Sequence, residues 1–354
     1  MKDFQQQRPF PADSLLSMSA GNSIAVKNVS CPVCRNHCDA KPLYRYTVFQ
    51  SASHFCPPSR DAERYERLIT CIRRLWEGDE CVILRCGDCG FGFGHPFVGG
   101  DEEFYRILHE QKGYPTWRWD YDVAVAEALT KFPGGKVLDI GAGVGMFLRG
   151  LPDTWQRYAV EGSEVTRREL EGSGIKVFRD LADGVQSQAG AFQVVTLFQV
   201  LEHIADFDTT LKLCRRLLVP GGRVVITVPD GDAMIRQERL TGCHDMPPNH
   251  IGKWTPTTLS RVLTQTGFAS GNPILEPPSW NNLKANLHMR VSADATEQKS
   301  LAAQAYRIQS KPLRIAALSL LGGPALLRML PHGRQLRAGG AFGMVGVAVT
   351  SADS

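Results

Sequence analysis

The chain has 354 residues, which at ~150 residues per domain corresponds to about two domains. Hydrophobic residues make up 43% of it, an ordinary share for a globular protein, so low-complexity, collagen-like and coiled-coil architectures are excluded. Lys and Arg total 40 against 36 Asp and Glu, which leaves a net charge of +4. Such a small charge does not favour nucleic acid or another polyanion as a partner of the whole chain.

Residues 1–29 are polar, show no clear hydrophobic period and are predicted to form a flexible leader. They lack the apolar stretch of a signal peptide. The sequence contains no uninterrupted apolar run of ~18 residues, so no transmembrane helix is predicted. Eight of the 10 cysteines precede residue 90, at positions 31, 34, 38, 56, 71, 81, 86 and 89. This clustering favours metal ligation in a reducing compartment, so the expected location is the cytoplasm.

Two Cys-x2-Cys pairs frame a Cys-rich segment at residues 30–98. Each pair suits a tight turn that brings two thiolates to one ion, and two such turns complete a tetrahedral zinc site. The predicted ligands are Cys31, Cys34, Cys86 and Cys89. The two pairs are further apart than the usual ~15–20 residues, and a helix predicted over Asp61–Trp76 accounts for the excess. A set of buried free cysteines is the alternative interpretation, and Cys38 or His37 is a candidate replacement ligand.

Residues 99–133 are predicted to be a helical connector that ends at a Pro-Gly-Gly turn. The connector carries an aromatic group formed by Tyr114, Trp117, Trp119 and Tyr121. Two roles are open for this group: it covers a ligand, or it packs the connector on the core.

From residue 134 to 354, short apolar runs alternate with helical stretches, which predicts an α/β domain with a parallel sheet covered on both faces. The predicted strands are KVLDIGAG, RYAVEGS, IKVFRD, FQVVTLFQV and RVVITVPD. Further strands are predicted near Phe268–Leu275 and at Phe342–Thr350. Between these two, residues 281–340 are predicted to be a helical insertion with a helix at Ala295–Gln309.

The first strand of this domain runs into a glycine-rich turn formed by Gly141, Gly143 and Gly145. Glycine lets the backbone turn tightly and approach a ligand, although a plain strand-to-helix turn is the alternative. The dinucleotide fingerprint needs glycine where this chain has Met146, which disfavours a nicotinamide oxidoreductase. Asp139 precedes the turn and would repel a pyrophosphate, so it suits a cationic ligand or one that offers amine and hydroxyl donors. Glu161 follows Gly141 by 20 residues, at the end of the next strand, from where a carboxylate binds ribose hydroxyls.

Four segments, VLDIGAGVG, AVEGS, FQVLEHI and LVPGGRVVITVP, occur in the order and spacing of the class I S-adenosylmethionine-dependent methyltransferases. Residues 136–275 resemble that family, which implies a Rossmann-like seven-stranded sheet with an antiparallel last strand. The resemblance also implies that the three glycines line the methionine moiety, that Asp139 contacts it directly or through water, and that Glu161 holds the ribose hydroxyls.

Four more cofactor contacts are implied by the same resemblance. Asp180 and Leu181 would lie beside the adenine, and Phe198 and Gln199 would flank the sulfonium.

At the other end of the chain, CPVC followed by LRCGDCGFGF resembles the N-terminal zinc ribbon of many bacterial methyltransferases that act on sugars and other metabolites. That resemblance implies a structural zinc ion.

The candidate catalytic residues follow the fourth predicted strand or belong to a later loop. Glu202 and His203 lie at the carboxyl end of a strand, where ligands bind in such sheets, so His203 is a candidate general base. The alternative is that both residues only fix the loop. His250 is either a substrate contact or base, or a residue that packs its loop. Some relatives hold a catalytic divalent ion through Glu-x-x-Glu-His and a later His, but Gln199 replaces the first Glu, which counts against such an ion here.

The segment 299–337 is basic, because no acidic residue occurs between Glu297 and Asp353. Its positive residues are Lys299, Arg307, Lys311, Arg314, Arg328, Arg334 and Arg337. Apolar residues 315–327 lie among them, so the segment suits contact with an anionic membrane surface or an anionic substrate. The alternative is a helical insertion on the sheet edge with a solvated basic face.

The sequence therefore favours a methyltransferase that uses S-adenosylmethionine, with a structural Zn²⁺. The expected acceptor is a hydroxyl, amine or carbon of a small molecule, such as a nucleotide-linked sugar or another biosynthetic intermediate. A sulfonium methyl is already activated, so catalysis consists mostly of alignment and exclusion of water. The alternative function is a zinc-ribbon binding protein with a non-catalytic methyltransferase-like scaffold.

Overall fold

The computed structural model describes residues 26–58, 60–108, 117–241, 245–295, 300–332, 335 and 337–349. Most of the predicted leader, residues 1–25, lies outside the described residues, as does Tyr114. The predicted end of that leader is wrong: Val26–Ser30 is a β-strand that pairs with the next strand, so residues 26–29 are not part of a flexible leader.

The strands are β1 (Val26–Ser30), β2 (His37–Thr47), β3 (Glu80–Arg85), β4 (Gly92–His95), β5 (Gly135–Ile140), β6 (Trp155–Val160), β7 (Lys176–Phe178), β8 (Phe192–Phe198), β9 (Leu218–Pro229), β10 (Gly252–Lys253), β11 (Phe268–Ser270), β12 (Ile274–Leu275) and β13 (Ala341–Ala348). The helices are α1 (Val48–Phe55), α2 (Ala62–Trp76), α3 (Glu102–Leu108), α4 (Trp119–Glu127), α5 (Met146–Arg149), α6 (Glu164–Glu171), α7 (Leu181–Gln188), α8 (Phe207–Leu217), α9 (Gly231–Thr241), α10 (Pro256–Gln265), α11 (Trp280–Ala295), α12 (Leu301–Tyr306) and α13 (Lys311–Met329). Short 3-10 helices cover Leu129–Lys131, Leu201–His203 and Leu330–His332.

The larger sheet has eight strands, in the order β11-β13-β9-β8-β5-β6-β7, with β12 beside β13. Strands β9, β8, β5, β6 and β7 are parallel, and β13 is antiparallel to both β9 and β11. The five apolar runs read from the sequence form these parallel strands, because a sheet covered on both faces favours continuous apolar segments. The implied antiparallel last strand is confirmed, while the implied count of seven is one short because the two-residue strand β12 is added.

The chain crosses from one side of the sheet to the other at β5, which has β6 on one side and β8 on the other. In open α/β sheets, ligands bind in the crevice beyond the carboxyl ends of the strands at such a switch point. The residues that follow β5, β6 and β8 are therefore brought to one edge.

The smaller sheet is antiparallel, in the order β1-β2-β3-β4-β10. The helix predicted between the Cys pairs is confirmed as α2, which begins after Asp61 because that side chain accepts a hydrogen bond from the N–H of Arg64. The edge strand of this smaller sheet, β10, comes from the predicted 134–354 domain. Trp254 beside it packs on Phe91, with 4.8 Å between the ring centroids, so one core runs through both sheets. The division into 30–98, 99–133 and 134–354 stays a prediction.

The insertion at 281–340 is helical, but the helix boundaries predicted within it are wrong. The helix predicted at Ala295–Gln309 is instead the end of α11 and the separate helix α12. Ser300 explains the break, because its side chain accepts a hydrogen bond from the N–H of Ala303 and so begins a new helix. Among the described helices, none combines the length and the apolar character needed to cross a bilayer.

Candidate functional site

The glycine-rich turn connects β5 to α5 and faces a cleft of about 110 Å³. All three glycines have positive φ: 71° at Gly141, 52° at Gly143 and 74° at Gly145. A Cβ at Gly141 would lie 2.7 Å from Cγ2 of Val200, and one at Gly145 would lie 2.5 Å from Cδ2 of Leu170. Side chains are therefore excluded at two positions by both backbone conformation and space, whereas a Cβ at Gly143 would meet no atom within 4 Å.

Asp139 is the last carboxylate of β5 before the turn and lines this cleft. Its side chain is 3% exposed and accepts a hydrogen bond of 2.8 Å from the hydroxyl of Thr196 on β8. Burial raises the pKa of Asp139 to about 7, despite the opposing effect of the Thr196 hydrogen bond. When ionised, this buried carboxylate favours a cationic partner in the cleft.

Glu161 follows β6, beside the same turn. Its carboxylate accepts hydrogen bonds of 2.9 Å from the backbone N–H of Gly143 and from that of Ser163. These bonds fix the carboxylate against the glycine turn, so the structure brings the two acids predicted on either side of the turn to one strand edge.

The other predicted cofactor contacts lie at the ends of β7 and β8. Asp180 is exposed and N-caps α7 by accepting from the N–H of Asp183, and Leu181 packs partly against the core. Phe198 lines the cleft, whereas Gln199 has a positive φ of 58° directly after β8. A positive φ at a non-glycine residue is strained, which is frequent beside functional sites.

Arg118 and Tyr121 also line the cleft, where α4 begins. The guanidinium of Arg118 pairs with buried Asp120 at 2.6 Å and lies 5.0 Å from the ring centre of Tyr121. Tyr121 packs edge-on against Phe198, so this aromatic residue both packs the connector and lines the cleft. Arg118 was not predicted; the only signal was its position within the aromatic group.

Glu202, His203 and His250 meet beyond the end of β8. Oε1 of Glu202 lies 4.0 Å from Nε2 of His203 and 3.9 Å from Nε2 of His250. Glu202 is fully buried, and neither of its carboxyl oxygens has a hydrogen-bond donor within the described residues. One ligand atom from each residue lies within 4.8 Å of the others, so the three form a group of the kind that holds a metal ion.

The Nδ1 atom of each histidine is held by an oxygen acceptor. Nδ1 of His203 donates to the carbonyl of Asn249 at 2.6 Å, and Nδ1 of His250 pairs with the carboxylate of Asp245. Both rings therefore direct Nε2 toward Glu202. This arrangement, in which an outer acceptor orients the ring, is typical of histidines that ligate metals or act as bases.

The charges of this cluster are set by burial and by neighbours. Burial raises the pKa of Glu202 to about 7, against the charge of His250. Burial and the charge of His250 lower the pKa of His203 to about 4, so its Nε2 carries a lone pair at neutral pH. Burial opposes protonation of His250, but the charge of Asp245 outweighs it and raises the pKa. Burial likewise opposes ionisation of Asp245, yet His250 lowers its pKa to about 2.

Asp245 was not predicted as a site residue, since it lies five positions before His250 in a loop with no regular period. It is held in turn by Glu238, whose Oε1 accepts from the N–H of Asp245 at 3.1 Å and from Nζ of Lys253 at 2.7 Å. Lys253 and Glu238 are both buried, so this ion pair fixes the loop that carries His250.

Residues of the N-terminal half also hold that loop. The N–H of Gly94 donates to the carbonyl of Ile251, and the N–H of Gly100 donates to the carbonyl of Pro248, both at 2.9 Å. The N–H of Ile251 in turn donates to the carbonyl of Glu202 at 2.9 Å. The backbone around His250 is therefore positioned from both halves of the chain.

The four predicted zinc ligands form a separate cluster, in the turns that connect β1 to β2 and β3 to β4. Sγ of Cys31 lies 3.6 Å from Sγ of Cys89, and Sγ of Cys34 lies 3.6 Å from Sγ of Cys86. All four are free cysteines whose sulfurs lie within 4.8 Å of one another. Among the remaining thiols, Cys56, Cys71 and Cys81 are buried in the core, and the side chain of Cys38 lies outside the described part. His37 is exposed.

Comparison with known proteins supports the methyltransferase resemblance. The family described as "Methyltransferase domain" matches residues 118–270. A protein of Chromobacterium violaceum named "Ubiquinone biosynthesis O-methyltransferase" is 33% identical over 189 residues, which cover 49% of this chain and 78% of that protein. A protein of the same name from Xanthomonas axonopodis pv. citri is 32% identical over 27% of this chain, and the match spans only 43% of its length. For the protein of that name from Alkalilimnicola ehrlichii, the match spans 64% of its length.

Among solved structures, a SAM dependent methyltransferase from Archaeoglobus fulgidus superposes with a TM-score of 0.39 and 17% identity, covering 70% of this chain and 100% of the other. The sequence relationship to the Chromobacterium protein is the stronger finding, since it combines 33% identity with most of that protein's length. The chain belongs to the class I S-adenosylmethionine-dependent methyltransferases.

Proposed function

We propose that this chain transfers the methyl group of S-adenosylmethionine to a hydroxyl oxygen of a small metabolite. The observation that carries the proposal is the cluster of Glu202, His203 and His250 beyond the end of β8, next to the strand that ends in the glycine turn. A hydroxyl is poorly ionised at neutral pH, so its methylation, unlike that of an amine, gains from a base or a cation at the acceptor.

The cofactor proposal rests on the edge formed by β5, β6 and β8. Glu161, fixed by the N–H groups of Gly143 and Ser163, suits the two hydroxyls of a ribose. Asp139 is a carboxylate in a buried setting, suited to the positive methionine moiety. Asp180, Leu181, Phe198 and Gln199 remain proposed contacts. An intact glycine turn between two acids disfavours the alternative of a non-catalytic scaffold.

The acceptor is proposed to be an oxygen partly because the relatives in Chromobacterium, Xanthomonas and Alkalilimnicola are named O-methyltransferases. Their names mention ubiquinone biosynthesis, which points to hydroxylated aromatic acceptors, whereas the resemblance of the Cys-rich segment points to sugars. A phenol and a sugar share the hydroxyl as the reacting group, so both belong in an acceptor screen.

We further propose that Glu202, His203 and His250 hold a divalent cation without the first Glu of the Glu-x-x-Glu-His pattern, whose place Gln199 takes. Two atoms bound to one ion at about 2.1 Å are at most ~4.2 Å apart, and the two Nε2–Oε1 distances of 4.0 and 3.9 Å fall within that limit. A buried carboxylate without donors is unfavourable unless a cation or protons compensate it. When bound, such an ion would stabilise the acceptor as its oxyanion. Without an ion, His203 is the proposed general base.

The four cysteines are proposed to bind one structural Zn²⁺. At a Zn–S distance of about 2.3 Å, neighbouring sulfurs of a tetrahedron lie ~3.8 Å apart, close to the two distances of 3.6 Å. A disulfide would instead need a separation of about 2.05 Å. Four protein ligands leave no position for substrate, which is the pattern of structural rather than catalytic sites.

Calorimetry tests the cofactor proposal. We expect S-adenosylmethionine to bind and NAD not to bind. Because Asp139 with a pKa of about 7 is protonated at lower pH and ionised at higher pH, cofactor affinity should increase as the pH rises through about 7. Asp139→Asn should weaken binding by about tenfold and remove this pH dependence, whereas Asp153→Asn, at an exposed residue, should preserve both. Equal binding of NAD, or binding of neither ligand, would contradict the assignment.

The acceptor proposal is tested by release of S-adenosylhomocysteine with a panel of hydroxylated aromatic compounds and nucleotide-linked sugars. His250→Ala should lower turnover by about 10²-fold or more while cofactor affinity stays unchanged. His332→Ala, at an exposed histidine, is the control. Turnover restricted to amine acceptors, or full turnover of His250→Ala, would exclude the proposed role.

A further inference from the structure

Helix α13 carries an apolar stripe on its solvent side. Leu313, Leu320 and Leu327 are 64%, 78% and 68% exposed and recur every seven residues, which places them on one face of the helix. Exposed Ala316 and Gly323 lie between them on the same face, so among the described side chains no charged group interrupts the stripe. Aligned, exposed leucines of this kind mark an interaction surface rather than scattered surface apolarity.

The opposite face of α13 is already occupied. Leu318, Leu321 and the buried Ala325 pack with Val291 of α11 and Ala302 of α12. The three helices thus form one unit, and this packing explains the inner face only. The leucine stripe is therefore not part of the core formed by this unit.

The same unit is attached to the methyltransferase domain beside the candidate site. Nε2 of Gln237 on α9 donates to Oδ1 of Asn286 on α11 at 2.8 Å. The next residue of α9, Glu238, holds the loop of Asp245 and His250. If α11, α12 and α13 bind to a surface, the candidate site is therefore held close to that surface.

Charge identifies the kind of partner. Residues 298–352 contain no Asp or Glu, and the described segment presents Arg307, Lys311 and Arg337 as exposed cations. Each Lys or Arg near an anionic bilayer adds to its attraction, and apolar side chains on such a helix insert at the headgroup boundary.

A second copy of the chain fits this surface less well. Pairing two α13 helices would bring cations together without an acid in the segment to pair with them. Small residues and Pro324 lie between the leucines, where a coiled coil needs bulky apolar side chains. Neither point opposes a bilayer, which requires no matching side chains.

We propose that α13, through Leu313, Leu320 and Leu327 and the cations around it, lies on an anionic membrane surface. In this arrangement the helix rests in the plane of the headgroups, in agreement with the finding that no described helix is suited to span a bilayer. The proposal replaces the sequence alternative of a solvated basic face, because the solvent side of the helix is lined by leucines.

Co-sedimentation of the full chain with vesicles tests the proposal. Vesicles of phosphatidylcholine alone are compared with vesicles that also contain phosphatidylglycerol, at low and high salt. We expect binding to the anionic vesicles that weakens with salt and is at least about tenfold weaker without the anionic lipid.

The variants separate the stripe from general surface apolarity. Leu313→Ser/Leu320→Ser/Leu327→Ser should reduce the partition coefficient by at least about tenfold. The control Val165→Ser/Leu275→Ser changes two apolar side chains outside the three-helix unit, which are 69% and 65% exposed. This control should bind vesicles as the wild type does. Circular dichroism and cofactor binding verify that both variants fold.

Three results would overturn the proposal. The first is no binding to anionic vesicles above the level seen with phosphatidylcholine. The second is equal binding of the triple variant and the wild type. The third is a dimer of the wild type, in sedimentation equilibrium, that the triple variant converts to a monomer without vesicle binding in either; a second copy would then cover the stripe.

Discussion

The two clusters of candidate metal ligands in this molecule are built in opposite ways. The four cysteines come from two turns of nearly the same geometry: the N–H of Arg35 donates to the carbonyl of Cys31, and the N–H of Gly90 donates to that of Cys86. Arg35 and Gly90 both have positive φ, 60° and 76°. Each half of that cluster is therefore formed by a few consecutive residues.

The cluster of Glu202, His203 and His250 has no such local origin. Its histidines lie 47 positions apart, and a buried ion pair, an Asp245 carboxylate and backbone groups of both halves of the chain position His250. It offers three ligand atoms rather than four. A four-ligand thiolate cluster is suited to stabilising a fold, whereas a three-ligand cluster leaves room for a substrate.

Loss of the thiolate cluster should have the largest effect. Cys86→Ser removes one of four ligands, and since structural zinc contributes on the order of 10 kcal/mol to folding, the N-terminal half should lose its structure. Elemental analysis should show zinc falling from about one ion per chain to none. Cys71→Ser, at a buried thiol outside the cluster, is the matched control and should keep its zinc. Zinc retained by Cys86→Ser, or absent from the wild type, would remove the first half of the comparison.

Disruption of the three-ligand cluster should have an intermediate effect, confined to turnover. Glu202→Gln removes the buried carboxylate and should lower turnover by about 10²-fold or more without changing zinc content. Brief treatment of the wild type with a chelator should likewise abolish turnover, with Mg²⁺ or Mn²⁺ restoring it in the wild type but not in Glu202→Gln. Glu171→Gln, at an exposed residue, is the control.

If chelation leaves turnover unchanged while Glu202→Gln and His203→Ala both lose it, the cluster acts as a base without an ion. The comparison with the thiolate site would then be one of metal centre against acid–base centre.

The smallest effect should distinguish the two cysteine turns from each other. Gly90→Ala forces an alanine into the left-handed region and should destabilise the protein by about 1 kcal/mol, although its Cβ has space. Arg35→Gly should act in the opposite direction, because the arginine already occupies that region and its ion pair with Asp208 is largely exposed. Thermal unfolding of the zinc-loaded proteins measures both, and equal signs for the two variants would contradict the interpretation.

The contrast also explains what the sequence could predict. Cys31 and Cys34, the glycine turn and the strands around it are local patterns, so their residues could be named without a structure. The end of β8 was likewise identified because the strand itself is a continuous apolar run.

Residues that act across the fold were less accessible. Asp245 and Glu238 meet through a loop and a helix whose relative position depends on tertiary packing, and Arg118 reaches the cleft from the connector. The break before α12 was missed because helical periodicity continues through 295–309, while a single capping serine decides the boundary. The exposure of the leucines on α13 likewise depends on which face α11 and α12 cover.

The edge strand β10 has a consequence for how the molecule is put together. It starts two residues after His250, yet hydrogen-bonds to β4 in the N-terminal half. A fragment beginning at residue 134 would lose Arg118 and Tyr121 from the lining of the cleft. It would also lose the backbone hydrogen bonds from Gly94 and Gly100 that hold the loop of His250. Both halves of the chain therefore contribute to the backbone that positions His250.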